Sequence, residues 1–398
     1  MLKTLRPSTE HSVNRSVLHS PPLFLTARSD KLNRKRHFLL PVAFILCAAL
    51  AVRGEDIDDV IKEWMEKQHV PAVSIALIKD GSLIKAEAYG LADVEHRIPA
   101  RPDTVFKIGS VSKQFIAAGI MLLVQDGRMA VGDKVNRYLA GAPRSWEAVT
   151  IRHLLTHTSG LVREAPGFDP YRLQPDADVI ETAYSVPLRF TPGEKHEYSN
   201  LGYFVLAEII HRISGKPWGD FLNERVFIPL GMTATRVTTL ADIVPNRARG
   251  YVWKAGKLQN EDDWPAVRPS GAFLSTALDL AKWEAALLGD QVLKEPIKKE
   301  MWTPVGLNDG RTFPYGFGWQ LDDWPADSPV PTGVPMIRHG GSMNGFRAGY
   351  TRWPSRRLSV IILTNLSNAP YEGLSANIAI RYVPELRSAP RQAAPFPR

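Results

Sequence analysis

Ser110-Val111-Ser112-Lys113 sets a hydroxyl and an amine three residues apart at the head of a long apolar run, Phe115 to Val124. On a helix, positions three apart lie one above the other, so the two groups would meet. A serine hydroxyl attacks poorly until a neighbouring base takes its proton, and a lysine can be that base once burial lowers its pKa. Free backbone N–H groups at the helix N-terminus would favour the negative charge that develops. The spacing occurs a second time, in Ser82-Leu83-Ile84-Lys85. That copy follows Asp80-Gly81, a hairpin-turn signal between two apolar runs. Strand residues three apart face opposite sides, so Ser82 and Lys85 are expected to point apart.

Three other stretches carry chemical groups. Tyr198-Ser199-Asn200 follows the loop signal Thr191-Pro192-Gly193 and precedes a helical pattern. A tyrosine beside a lysine could relay protons, with its phenolate stabilised by the ammonium, and Asn200 could hold a substrate carbonyl. The plain alternative is a helix cap by Asn200 with Tyr198 packed. His339-Gly340-Gly341-Ser342 is glycine-dense and leads into a strand. Glycines on an edge strand let a substrate backbone come close, and the Ser342 N–H could pair with that of Ser110 as an oxyanion hole. His153 and His157 have an i, i+4 metal spacing, but no Glu adjoins the first histidine. No metal site is expected there, and a structural role near Thr158-Ser159-Gly160 is. The chain contains no Gly-x-Ser-x-Gly elbow and no phosphate-binding glycine loop, so no cofactor is expected.

These groups need elements to hold them. The pattern reads as a helix over Ile57 to Lys67, the hairpin, and the Ser110 helix ending near Gly127. A mostly helical middle follows, with helices at Leu201–Ile213, Trp218–Val226 and Ser275–Leu288. Strand-like stretches come last (Gly316–Leu321, Ala348–Trp353, Ser359–Leu363), with a final helix near Gly373–Tyr382. Strands at both ends and helices between them predict an α/β fold with an inserted all-α lobe: an antiparallel sheet flanked by helices. The sheet lobe is expected at about 55–105 and 268–385 and the helical lobe at about 106–267, both within one catalytic domain over 52–388. Residues 389–398 read as a disordered tail.

Of the 398 residues, 44% are apolar and 23% charged, an ordinary globular balance. The net charge of +8 sits at the N-terminus: residues 1–54 hold nine Lys/Arg against two Asp/Glu, leaving a net of +1 beyond them. No basic face remains to suggest a nucleic-acid partner. The basic stretch Asn33 to His37 precedes fifteen mainly apolar residues, Phe38 to Val52, with Ala49 and Ala51 as a small-residue site. Residues 1–51 therefore read as a basic arm and secretion signal, and the product as periplasmic or extracellular. Membrane association would come only through an uncleaved segment, because fifteen residues fall short of the ~20 that span a bilayer. The single cysteine, Cys47, lies in that segment.

In this order, Ser-x-x-Lys, Tyr-x-Asn and His-x-Gly resemble the motifs of the serine β-lactamase and penicillin-binding protein group. The match is best to its class C-like branch of esterases, D-amino-acid peptidases and β-lactamase-related proteins. Ile151 to Leu161, Pro229-Leu230-Gly231-Met232, Ser275 to Ala281 and Tyr315-Gly316-Phe317-Gly318-Trp319 are similar too. The resemblance implies Ser110 as the acylated nucleophile, with Lys113 and Tyr198 as its proton-handling partners and the base undecided between them. It implies an oxyanion hole from the amides of Ser110 and Ser342, and substrate binding by Asn200, His339, Gly340 and Gly341. One departure stands out: the third motif of efficient β-lactamases begins Lys-Thr/Ser-Gly. Here histidine replaces the permanent cation and Gly340 lacks a hydroxyl. The expected function is an exported serine hydrolase acting on a small ester, peptide or β-lactam-like molecule, with esterase or D-amino-acid peptidase activity favoured. The alternatives are a β-lactamase and a penicillin-binding sensor without turnover. Pocket size is expected to depend on loops around Glu164–Asp178 and Asn308–Pro314.

Overall fold

The structure, a computed structural model, describes residues 57–237, 241–266, 268–271, 273–321 and 334–387. The expected secretion signal, Cys47 and the tail at 389–398 lie outside the described residues. Three N-terminal strands, β1 (Ala72–Lys79), β2 (Ser82–Asp93) and β3 (Ile98–Pro99), share one sheet with three C-terminal strands. The latter are labelled β4 (Ile337–Met343), β5 (Phe346–Trp353) and β6 (Leu358–Thr364). The spatial order is β4-β5-β6-β1-β2-β3, antiparallel throughout, with β4 at one edge.

Alternation along β1 divides the core. Val73, Ile75 and Leu77 pack to one side with helix α1 (57–68) and the C-terminal helix, while Ala76 and Ile78 face the main core. Four further helices matter to the site: α2 (Lys113–Gln125), α3 (Ile151–Leu155), α4 (Leu201–Ser214) and α5 (Ala277–Leu288). The C-terminal helix is α6 (Tyr371–Tyr382), and it covers the sheet as expected. Helix α2 is buried along residues 113–123, as suits a helix apolar all round. Its Phe115 ring is ringed by Phe227, Phe273 and Trp283. The capped start is real: Thr276 accepts from the Asp279 N–H. Gly215, at φ +76°, ends α4.

Three expectations change. The middle of the chain is mostly loop, since between Gln125 and Leu201 the α-helices are only Ile151–Leu155 and Asp176–Glu181. Gly316–Leu321 is a turn, because Gly318 adopts φ +76° to pass against the Lys113 carbonyl. Finally, Ser82 and Lys85 share a face of β2. Lys85 lies opposite Leu77 and Ser82 opposite Lys79, because a bulge at Ile84 inserts one residue between them.

Candidate active site

Ser110 lies in a 3₁₀ turn, Gly109–Ser112, one turn ahead of α2 rather than in its first turn. A 3₁₀ turn has three residues per turn and eclipses positions i and i+3. Lys113 Nζ accordingly sits 3.2 Å from Ser110 Oγ. The turn is pressed against β4 by two glycines. A Cβ at Gly109, itself at φ +51°, would stand 2.5 Å from the Ser342 nitrogen, and one at Gly341 would stand 1.9 Å from the Ile108 carbonyl. Ser110 and Ser342 thereby line the same cavity.

Lys113 is fully buried. Besides Ser110 Oγ, its Nζ contacts two oxygens that can only accept, Asn200 Oδ1 and the Ser270 carbonyl, each at 2.8 Å. Asn200 stands before α4 but makes no helix cap. Its Nδ2 donates to Glu164 Oε1 at 2.5 Å, which turns Oδ1 toward the lysine. Arg268 then holds both Glu164 oxygens, at 3.0 and 2.9 Å. Burial drives the Lys113 pKa well below its ordinary value; Arg268 and Arg163 push the same way and Glu164 opposes them. A neutral amine uses its two N–H bonds on Asn200 and Ser270, leaving its lone pair for the Ser110 hydroxyl.

Tyr198 lies half-buried beside this pair, with Lys113 Nζ 4.8 Å and the Arg163 guanidinium 5.2 Å from its ring centre. Burial raises its pKa, opposed by a hydrogen bond with Ser110 and by the two arginines. Burial thus favours the protonated phenol at Tyr198, as it favours the free amine at Lys113.

The two histidines of the i, i+4 pair part company because α3 ends at Leu155 and His157 takes φ +58°. His153 caps α3 with Thr150. His157 joins a buried chain whose polarity is fixed at both ends. The Ser199 N–H donates to His157 Nδ1 at 3.2 Å, so Nε2 carries the proton toward the Tyr315 hydroxyl at 3.1 Å. Tyr315 in turn donates to His339 Nε2 at 2.9 Å, and His339 Nδ1–H meets the Gly340 carbonyl at 2.7 Å. Burial lowers the His339 pKa to about 3, with Lys113 adding to the shift. The residue in the lysine position of the third motif is therefore an uncharged acceptor.

Ser110, Tyr198, His339, Gly340, Gly341 and Ser342 all line one open cavity of about 560 Å³. Asn200 supports it from behind through Lys113. Sequence reasoning missed Glu164, Ser270 and Arg268 as supports, and Tyr315 as the link between two histidines. Only Tyr315 had a signal, its place in Tyr-Gly-Phe-Gly-Trp.

A family model described as Beta-lactamase matches residues 57–384. Penicillin-binding protein 4* of Bacillus subtilis is 30% identical over 323 residues, 76% of this chain and 70% of that protein. Unguisins hydrolase ungD' of Aspergillus campestris is 28% identical over 82% of this chain, which spans 64% of that protein. Among solved structures, the D-amino acid amidase of Ochrobactrum anthropi SV3, complexed with L-phenylalanine amide, superposes with a TM-score of 0.69. It is 25% identical, over 84% of this chain and 99% of that one.

Proposed function

We propose that this chain, which belongs to the Beta-lactamase family, is a serine hydrolase that works through an acyl-enzyme on Ser110. The observation that carries this reading is the environment of Lys113: two acceptors occupy its N–H bonds and the third direction faces Ser110 Oγ. The Lys113 lone pair takes the hydroxyl proton as Oγ forms its bond to the substrate carbonyl carbon. The carbonyl electron pair moves onto oxygen, where the amides of Ser110 and Ser342 receive it. When the tetrahedral adduct collapses, the bond to the leaving group breaks and Tyr198 O–H protonates that group; the Lys113 proton then restores Tyr198. Water repeats the sequence on the acyl-enzyme, with the same pair accepting its proton.

The substrate is a small ester or amide. The D-amino acid amidase in the Ochrobactrum structure supports amide chemistry, and the neutral His339 argues against efficient β-lactam hydrolysis. We also infer export, supported by the basic arm and short apolar run at the N-terminus. Among the described residues, no helix is long and apolar enough to cross a membrane.

Short p-nitrophenyl esters test the reading. The wild type should hydrolyse them and gain one fluorophosphonate adduct by intact mass, and Ser110→Ala should do neither. Hydrolysis that survives in the pure variant would overturn it. Nitrocefin turnover near the ester rate would establish the β-lactamase alternative, and a stable penicillin adduct without product the sensor.

A further inference from the structure

Arg163 is a charged group at the site with no part in the proton transfers of Lys113 and Tyr198. Backbone hydrogen bonds clip its loop to the start of α4. The Arg163 carbonyl accepts from the Asn200 N–H at 2.8 Å and the Leu201 N–H at 3.2 Å, and the Val162 carbonyl accepts from Ser199 Oγ at 2.8 Å. All three donors lie within three residues of Tyr198. The Arg163 guanidinium carbon accordingly stands 5.2 Å from the Tyr198 ring centre, within the range of a cation–π contact. Arg163, Tyr198 and Ser110 line the same cavity.

The other ionisable groups around Tyr198 are paired or uncharged. Glu164, next in the chain, has both oxygens held by Arg268, so those two charges offset each other. The rings of His157 and His339, 4.1 and 6.3 Å from the Tyr198 ring, are kept neutral by burial, as is His196 behind His157. Burial likewise favours the free amine at Lys113 and the protonated phenols at Tyr203 and Tyr315. Among the described residues no carboxylate pairs with Arg163, which leaves it the uncompensated cation at the Tyr198 ring. A phenol that gives up its proton becomes a phenolate, and a fixed guanidinium beside the ring stabilises that charge. His339, uncharged, cannot do so.

We propose that Arg163 is a positioning residue for the second proton transfer: acting through Tyr198, its guanidinium stabilises the phenolate formed as the tyrosine proton passes to the leaving group. This role rests on Ser110 as the acylated nucleophile. The Tyr198 O–H bond breaks and its proton joins the leaving oxygen or nitrogen, as the bond from that atom to the carbonyl carbon breaks. The Lys113 ammonium then returns a proton to the phenolate. Arg163 moves no proton itself. Its contribution therefore grows with the basicity of the leaving group: large for amides and alkyl esters, and negligible for a group that departs as a stable anion.

The test compares two esters of one acyl group. Ethyl butyrate must have its alkoxide protonated, whereas p-nitrophenyl butyrate loses its phenolate unaided. Both share the Lys113 step, and kcat/KM reports acylation for each. Arg163→Gln should lower the ethyl-to-p-nitrophenyl ratio of kcat/KM about tenfold at alkaline pH, the scale of a desolvated cation–π contact. Arg163 also lowers the Lys113 pKa, so the acid limb should move upward equally for both esters. Arg163→Lys should keep most of the ratio. The side chain is exposed, so both variants should melt with the wild type. A role in packing alone would lower both rates together and would leave the ratio untouched. A ratio that Arg163→Gln leaves unchanged, or that Arg163→Lys lowers as far as Arg163→Gln does, overturns the proposal alone, since ester hydrolysis still supports the serine-hydrolase reading. Hydrolysis of neither ester by wild type overturns both.

Discussion

Two Ser-x-x-Lys segments with the same spacing sit in this molecule, and they have opposite surroundings. Both place the lysine on the serine's side: the 3₁₀ turn eclipses Ser110 and Lys113, and the bulge at Ile84 brings Ser82 and Lys85 to one face. Direction therefore does not separate them. Their lysine partners do. Lys85 Nζ lies 2.7 Å from the Asp58 carboxylate, a half-buried pair with the acid one-third exposed. Lys113 is fully buried, and its close partners are uncharged oxygens. The nearest carboxylate, Glu164, is one residue removed and is held by Arg268. An adjacent carboxylate favours an ammonium, whereas burial among neutral acceptors favours the free amine. What equips one copy for chemistry is a carboxylate kept at one remove.

Deleting each serine draws the contrast most strongly. Ser110→Ala should lower ester hydrolysis by about 10⁴-fold or more, the scale for losing a nucleophile. Ser82→Ala should leave it within about twofold, as for a surface change away from the site. Comparable losses in both variants would end the distinction.

The next largest effect comes from making Lys113 resemble Lys85. Asn200→Asp sets a carboxylate against the buried amine. The reactive form is the unprotonated amine, so kcat/KM rises with pH through the folded-state pKa of Lys113. A carboxylate raises that pKa and should move the acid limb upward by about 1–3 pH units. Activity would be lost near neutrality and regained at alkaline pH. Asn200→Leu should instead cost about 10- to 100-fold at all pH values, by removing an acceptor that aims the lone pair. An acid limb that stays fixed in Asn200→Asp would show that Lys113 is not the base.

Smaller and opposite in sign is the effect of the outer pair. Arg268 lowers the Lys113 pKa and Glu164 raises it. Arg268→Gln should therefore shift the acid limb to higher pH and Glu164→Gln to lower pH. Movement of both limbs in the same direction would mean that the pair acts through packing alone.

The sequence made these comparisons possible only in part. The order of strands and helices exposed the antiparallel sheet built from both chain ends, because β1 and β6 are short, largely apolar runs, buried along their length. Ser110, Lys113, Tyr198 and the His339 strand were found by short motifs. Helix content between Gln125 and Leu201 was overestimated because loops there bury apolar residues such as Val149 and Leu161 without a helix. Glu164 and Ser270 stayed hidden, since each reaches the site by tertiary packing, Glu164 onto Asn200 across 36 residues and Ser270 onto Lys113 across 157. The state of the Lys113–Tyr198 pair could not be read either, because it depends on the burial of both groups.

The smallest effect contrasts the buried and half-buried histidines with the Lys85–Asp58 pair. Burial lowers the pKa of His339 to about 3 and of His153 and His196 to about 4, and it puts His157 well below 6.5. Between pH 6.5 and these folded values, the unfolded chain binds protons that the folded chain refuses, so stability falls as pH falls. Asp176, raised to about 7 by burial, works the other way and gains stability as pH drops from 7 toward 3.8. Four groups outweigh one, and carboxylates with lowered values, such as Asp133, lose their contribution only near and below 3.8. The melting temperature should therefore decline steadily from pH 6.5 to 4.5. Tyr315→Phe, which removes the donor to His339, should cost about 1–3 kcal/mol at pH 7. Lys85→Met, which breaks a partly exposed pair, should cost less than about 1 kcal/mol and leave the slope of that decline unchanged. A melting temperature flat from pH 7 to 5 would mean that the histidines take up protons in the folded state. The neutral tautomers that fix the polarity of the His157–Tyr315–His339 chain would then be wrong.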